Sequence, residues 1–134
     1  ALLAFTCFLA VPMVEGGELD DFVKHLSIRA EADSGGFRTD LAAQFRVPGA
    51  EVDVLLRAVD SPGDAYMCLR IAQVAHVSTE VVLREYRANR NKGWGVIAKN
   101  LGIKPGSREF KELKSGHFGS DVKRQEKGKG KGRG

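Results

Sequence analysis

The sequence predicts an all-α protein: a compact bundle of short helical hairpins resembling helix-turn-helix units, with an N-terminal segment that reads as helix or as extended chain, and a disordered basic C-terminal tail. Three observations predict it. First, residues 41–56, 71–86 and 97–113 repeat one apolar pattern: Leu41-Ala42, Ile71-Ala72 and Ile97-Ala98 lead to Phe45, Ala75 and Leu101 and then to Val47, Val77 and Ile103. Second, apolar residues within these stretches recur at the spacing of a helix face rather than in alternation. Third, turn-forming residues punctuate them at Val47-Pro48-Gly49, Asp60-Ser61-Pro62-Gly63 and Lys104-Pro105-Gly106.

The elements follow in order. Ala1 to Val14 carry no charge. They are too few to cross a bilayer as a helix, which takes about 20 apolar residues, but they suit the apolar region of a secretory signal, with Val14 and Gly16 as small residues before a cleavage near Gly17. The Met and basic start of such a signal are missing, so residues 1–17 are expected to be a signal peptide truncated at its start, and the protein periplasmic or secreted. Cys7 would leave with it; Phe5 and Thr6 make it a poor lipid-attachment site. Cys68 then has no partner for an intramolecular disulfide.

Residues 18–118 are expected to form one helical domain. From Glu18 to Asp33, Leu19, Phe22, Val23 and Leu26 have helical spacing, while Leu26, Ile28, Ala30 and Ala32 alternate with polar residues. A helix giving way to extended chain near Ser27 fits both, and Ser34-Gly35-Gly36 is expected to break the chain. A helix over 37–46 places Phe37, Leu41, Ala42 and Phe45 on one face. It ends at Val47, which precedes a proline, and Pro48 begins a helix reaching about Val59. Ser61 reads as the N-cap of a helix over 62–76 with Pro62 in its first turn. That helix is apolar over much of its circumference, which predicts a central position. Ser78 caps a helix over 79–90, with Val81, Val82, Leu83 and Tyr86 inward and Arg84, Arg87 and Arg90 toward water. Asn91-Lys92-Gly93 interrupts; a short helix over 94–101 ends on Gly102, and a last one runs over 107–114.

Aligning Ala42, Ala72 and Ala98 places Val52 and Val82 at the same step of the following helix. This spacing resembles the DNA-binding helix-turn-helix, where a turn glycine comes four residues after the alanine and a β-branched residue ten after it. Ala98 with Gly102 matches the first requirement, and Ala72 with Val82 and Ala42 with Val52 match the second. No unit matches both, so the repeat is read as one packing solution used three times.

Length and composition bound the function. At 134 residues and 43% hydrophobic content the chain supports a single domain with a modest core. Of its 21 basic and 17 acidic residues, six and two fall in residues 121–134, leaving 15 of each elsewhere. The body is therefore neutral and the pI of about 9.2 describes a tail. That tail, within a disordered segment over 119–134, offers Lys123, Arg124, Lys127, Lys129, Lys131 and Arg133 as contacts to an anionic surface. It has no apolar periodicity and cannot bury enough surface to fold.

Glu85 to Ser107 is the most distinctive stretch, with Gly93-Trp94-Gly95 leading into a helix and then Gly102-Ile103-Lys104-Pro105-Gly106-Ser107. It resembles a signature of small, uncharacterised, exported bacterial helical proteins. The likeness spans residues 62–116 and includes Asp64-Ala65-Tyr66-Met67; it departs where Asn91 stands in place of the usual glycine. Asparagine also tolerates a left-handed backbone. The resemblance implies helices and export and supplies no activity.

Trp94 between two glycines has two readings: a core anchor beside a solvated cationic face, or a stacking platform for a ligand held with Arg87, Arg90, Lys92 and Lys104. No catalytic residue, cofactor or metal site is expected. His25, His76 and His117 lack metal-ligand spacing. Asp20-Asp21 and Glu109 with Glu112 read as acids serving helix ends, and Cys68 lies in an apolar helix where a thiol is inert. The expected function is a non-enzymatic interaction module with an unidentified protein or anionic surface as partner and no transmembrane span. The alternative is a cytoplasmic nucleic-acid binder using one hairpin and the tail.

Overall fold

Gly63 to Ala72 are all buried, which places their helix at the centre of the molecule. The computed structural model describes residues 11–114, with side-chain environments from Gly17 onward. Among these residues the chain is helical without strands: α1 (Val11–Ala32), α2 (Ser34–Phe45), α3 (Gly49–Ala58), α4 (Pro62–Ala75), α5 (Thr79–Asn89), a 3-10 turn (Arg90–Lys92), α6 (Trp94–Asn100) and α7 (Arg108–Lys114). The bundle is built around α4, against which α1, α5, α7 and α3 pack; α1 also lies along α6. One core cluster joins Leu19, Leu41, Val52, Tyr66, Met67, Ile71, Val82, Ile97 and Leu113. Each aliphatic side chain buried this way contributes about 1.5–3 kcal/mol of transfer free energy.

Residues 26–32 are helical, not extended. Leu19, Val23, Leu26 and Ala30 are buried at helical spacing, whereas Ile28, which an alternating strand would bury beside them, is 60% exposed. Ser27 is buried because its hydroxyl accepts from the amide of Gly63 at 2.8 Å, fixing α1 against the first turn of α4. A side chain at Gly63 would strike the carbonyl oxygen of Val23 and lie 2.6 Å from Ser27 Oγ. Only a glycine permits this approach.

The expected break at Ser34-Gly35-Gly36 falls one residue earlier and is a single residue wide. Asp33 is the N-cap of α2, and its carboxylate accepts from the Gly36 amide at 3.0 Å, so the glycines form the first turn rather than interrupt it. Such a cap satisfies one of the donors a helix start leaves unpaired.

The three repeated units close with the same turn. The amides of Val47, Val77 and Ile103 donate to the carbonyls of Ala42, Ala72 and Ala98 at 3.1, 3.0 and 2.9 Å. The residue just before the aliphatic is left-handed each time: Arg46 at φ 56°, His76 at φ 61° and Gly102 at φ 95°. This is the six-to-one closure that ends a helix while an apolar residue folds back onto its last turn. Val52 and Val82, aligned in the sequence, are both fully buried at the start of the second helix.

Polar contacts tie the hairpins together. Arg38 of α2 binds both carboxylate oxygens of Asp53 on α3, the Nη2 contact at 2.9 Å. That hydrogen-bonded pairing holds the Asp53 carboxyl below its ordinary range. Buried Arg70 of α4 donates through Nε and Nη2 to the carbonyl of Glu112 on α7 at 3.2 and 3.0 Å, and through Nη1 to Gln73 at 2.6 Å.

Candidate functional site

Asp64 is the third residue of α4 and one of few buried polar groups, 8% exposed. Its place follows from local sequence: Ser61 before Pro62 starts the helix, and a carboxylate three residues later reaches back to the cap. Oδ2 accepts from the Ser61 amide at 3.1 Å and the Ser61 hydroxyl at 3.0 Å. The long-range partners come from α5 and α6. Tyr86 donates its hydroxyl to Oδ2 at 3.1 Å, and the Trp94 indole donates to Oδ1 at 2.8 Å. Four donors thus converge on one carboxylate, which is the condition under which a buried charge is tolerated.

Both aromatic rings are fixed beyond these bonds. They stack with centroids 5.2 Å apart and planes 23° from parallel. The Tyr86 oxygen also accepts from the amide of Asp60 at 3.0 Å, so the phenol bridges α5 to the turn before α4. Burial pushes the phenol's pKa up, with the Asp64 and Asp60 carboxylates acting in the same direction, and the group stays neutral far into alkali. The Trp94 amide donates to Asp20 of α1 at 3.0 Å. Gly93, at φ 91°, lets the chain enter α6 there; a side chain on it would come within 2.7 Å of the Asp20 carboxylate.

Beside this network lies a cavity of about 130 Å³, lined by Asp20, Val23, Asp60, Asp64, Tyr86, Arg90, Gly93, Trp94 and Ile97. Arg90 closes one side. Its Nη1 binds the two Asp60 oxygens at 3.0 and 3.2 Å, and its guanidinium carbon stands 5.2 Å from the Tyr86 ring centroid. Such a cation over a ring is favourable, by about 0.5–1 kcal/mol at an exposed position.

Trp94 is 4% exposed and belongs to the core. Of the cations grouped with it, Arg90 alone lines the cavity. Arg87 is exposed on α5, Lys92 is exposed in the 3-10 turn, and Lys104 is exposed in the turn before α7, where its carbonyl accepts the Ser107 hydroxyl at 2.6 Å. The tail residues Lys123, Arg124, Lys127, Lys129, Lys131 and Arg133 lie outside the described residues, as do residues 1–10 of the expected signal.

Sequence reasoning missed the three aspartates that wall the cavity. Asp64 had a readable signal in its spacing from Ser61, though its aromatic partners did not. Asp20 meets Trp94 across 74 positions, beyond the reach of any periodicity.

Cys68, His25 and His76 lie apart from this network's hydrogen bonds. Burial, aided by the Asp64 charge, pushes the Cys68 thiol up to about 12. His25 and His76 are exposed, and His117 lies outside the described residues. Among the described residues no cluster of three or more His, Cys, Asp or Glu side chains is arranged to hold a metal ion. None of the described helices is long and apolar enough to cross a membrane. No protein-family model, curated protein or solved structure matches the chain.

Proposed function

We propose that this chain is an exported helical interaction module that acts by binding rather than by chemistry, its Lys- and Gly-rich tail contacting an anionic surface. The separation of charge carries the reading. Residues 121–134 hold six cations against two acids, while the remainder is balanced at 15 of each. A polycationic segment joined to a neutral body attracts anionic headgroups at about 1 kcal/mol per Lys or Arg near the surface. Two features of the body support the assignment. The Asp64, Tyr86 and Trp94 groups are engaged with one another. The α1 side chains Leu19, Val23, Leu26 and Ala30 also lie beyond Gly17, so a chain cut there keeps them.

The deciding experiment deletes residues 121–134. Far-UV circular dichroism and melting should be unchanged, while salt-sensitive binding to phosphatidylglycerol vesicles disappears; unaltered vesicle binding overturns the role of the tail.

A nucleic-acid role is the second reading, favoured by one observation: α5, the second helix of the α4–α5 hairpin, exposes Arg84 and Arg87. Mass spectrometry of the native N-terminus with cell fractionation separates the two readings. Cleavage near Gly17 supports export, and an uncleaved cytoplasmic protein favours the nucleic-acid binder.

A further inference from the structure

Apart from the aspartate cavity, with which it shares no lining residue, α3 and the start of α5 leave an open groove of about 480 Å³, lined by Glu51, Val54, Leu55, Ser78, Thr79, Glu80 and Leu83. Its volume is that of a ligand-sized site, roughly 300–1,000 Å³. Its floor is aliphatic. Leu55 is buried and Leu83 half-buried, while Val54 is 55% exposed, one of two large apolar side chains so placed among the described residues. Its charged lining is acidic only: Glu51 and Glu80 are both exposed, and no Lys or Arg lines the groove.

An aliphatic floor whose rim carries Ser78 and Thr79 and, as its charged groups, only Glu51 and Glu80 complements an amphipathic helix that carries aliphatic side chains between cations. We infer that the α3–α5 groove docks such a basic amphipathic helix of a partner protein. Aliphatic side chains spaced three or four apart on the partner cover Val54 and Leu83, while flanking Lys or Arg residues meet Glu51 and Glu80. The burial supplies affinity, and the charges set partner choice and encounter rate. This deepens the reading of the chain as an interaction module and rests on it, but it uses none of the tail.

The test uses the full chain and a synthetic helical peptide with leucines at helical spacing flanked by lysines, beside an analogue with glutamates in place of the lysines. Chemical-shift mapping should place the lysine peptide on α3 and α5. V54K, at an exposed position where folding is retained, should weaken it at least roughly tenfold, as loss of a central contact does. The charge-swapped variant E51K/E80K should lose the lysine peptide and gain the glutamate one. Equal binding of both peptides by the unmodified chain, or V54K binding as tightly as the parent, overturns the proposal. So does Val54-dependent self-association, which would assign the groove to a second copy, or Val54-dependent vesicle binding, which would assign it to lipid. The tail-deleted chain should bind the lysine peptide as before, so a failure of the tail reading and a failure of the groove register separately.

Discussion

The indole Nε1 of Trp94 meets Oδ1 of Asp64 at 2.8 Å, so the first turn of α6 is bonded to the first turn of α4 through a carboxylate that also receives Tyr86 and Ser61. The bond sits among buried groups, where an unmet donor or acceptor costs about 1–3 kcal/mol, and more when it is charged.

Replacing Asp64 by Asn therefore sets an amide donor against one of four existing donors. We expect D64N to lose about 2–4 kcal/mol in urea unfolding followed by circular dichroism, and W94F to lose about 1–3 kcal/mol. The double variant should fall short of the sum, because both remove the same bond. A D64N chain as stable as the parent would contradict the network.

Stability should decline in alkali. Cys68 and Tyr86 both have folded-state values raised above their ordinary 9.0 and 10.0. The folded chain therefore binds protons that the unfolded chain releases. Their contribution is complete below pH 9 and is lost as the pH rises, for Cys68 between 9.0 and about 12. Denaturation midpoints measured from pH 8 upward should fall, and C68A should fall less steeply. In the native state the thiol should resist a disulfide reagent at neutral pH and react on unfolding.

Two glycines should respond with opposite sign. G63A places a methyl group against Val23 and Ser27, and α1 must move away from α4, for a loss of about 2–4 kcal/mol. Gly35, inside the first turn of α2, has open space around it, and G35A should gain about 0.4–1 kcal/mol. Thermal unfolding of the two variants checks both.

The left-handed turn positions offer a further comparison. Arg46 and His76 occupy a conformation that costs a side-chain-bearing residue about 1–2 kcal/mol. R46G and H76G should each raise stability by up to about 1 kcal/mol, and G102A should lower it by a similar amount although nothing crowds that glycine. Unchanged melting in all three would show that the turns do not limit stability.

The hairpins were legible because their determinants are local. An alanine, a left-handed position four residues on and an aliphatic one further define each turn, and Ala42, Ala72 and Ala98 carry that information within six residues. The course of α1 beyond Ser27 was not, because what selects helix over strand there is burial against α4, centred on a contact between Ser27 and Gly63. The cations near Trp94 stood out in sequence as a cluster, yet the cavity beside the indole is walled by Asp20, Asp60 and Asp64. Its sign was hidden because those acids come from α1 and from the turn and first turn of α4, positions that meet α6 only in the folded chain.

The sequence contains one tryptophan, and it is held by Asp20 of α1, Asp64 of α4 and Tyr86 of α5 while itself opening α6. Its emission is therefore a natural gauge of the joint where four helices meet. If the bundle melts as one unit, the fluorescence and ellipticity transitions superimpose. If α6 parts first, the indole reports water while the ellipticity has barely moved, and the two curves separate.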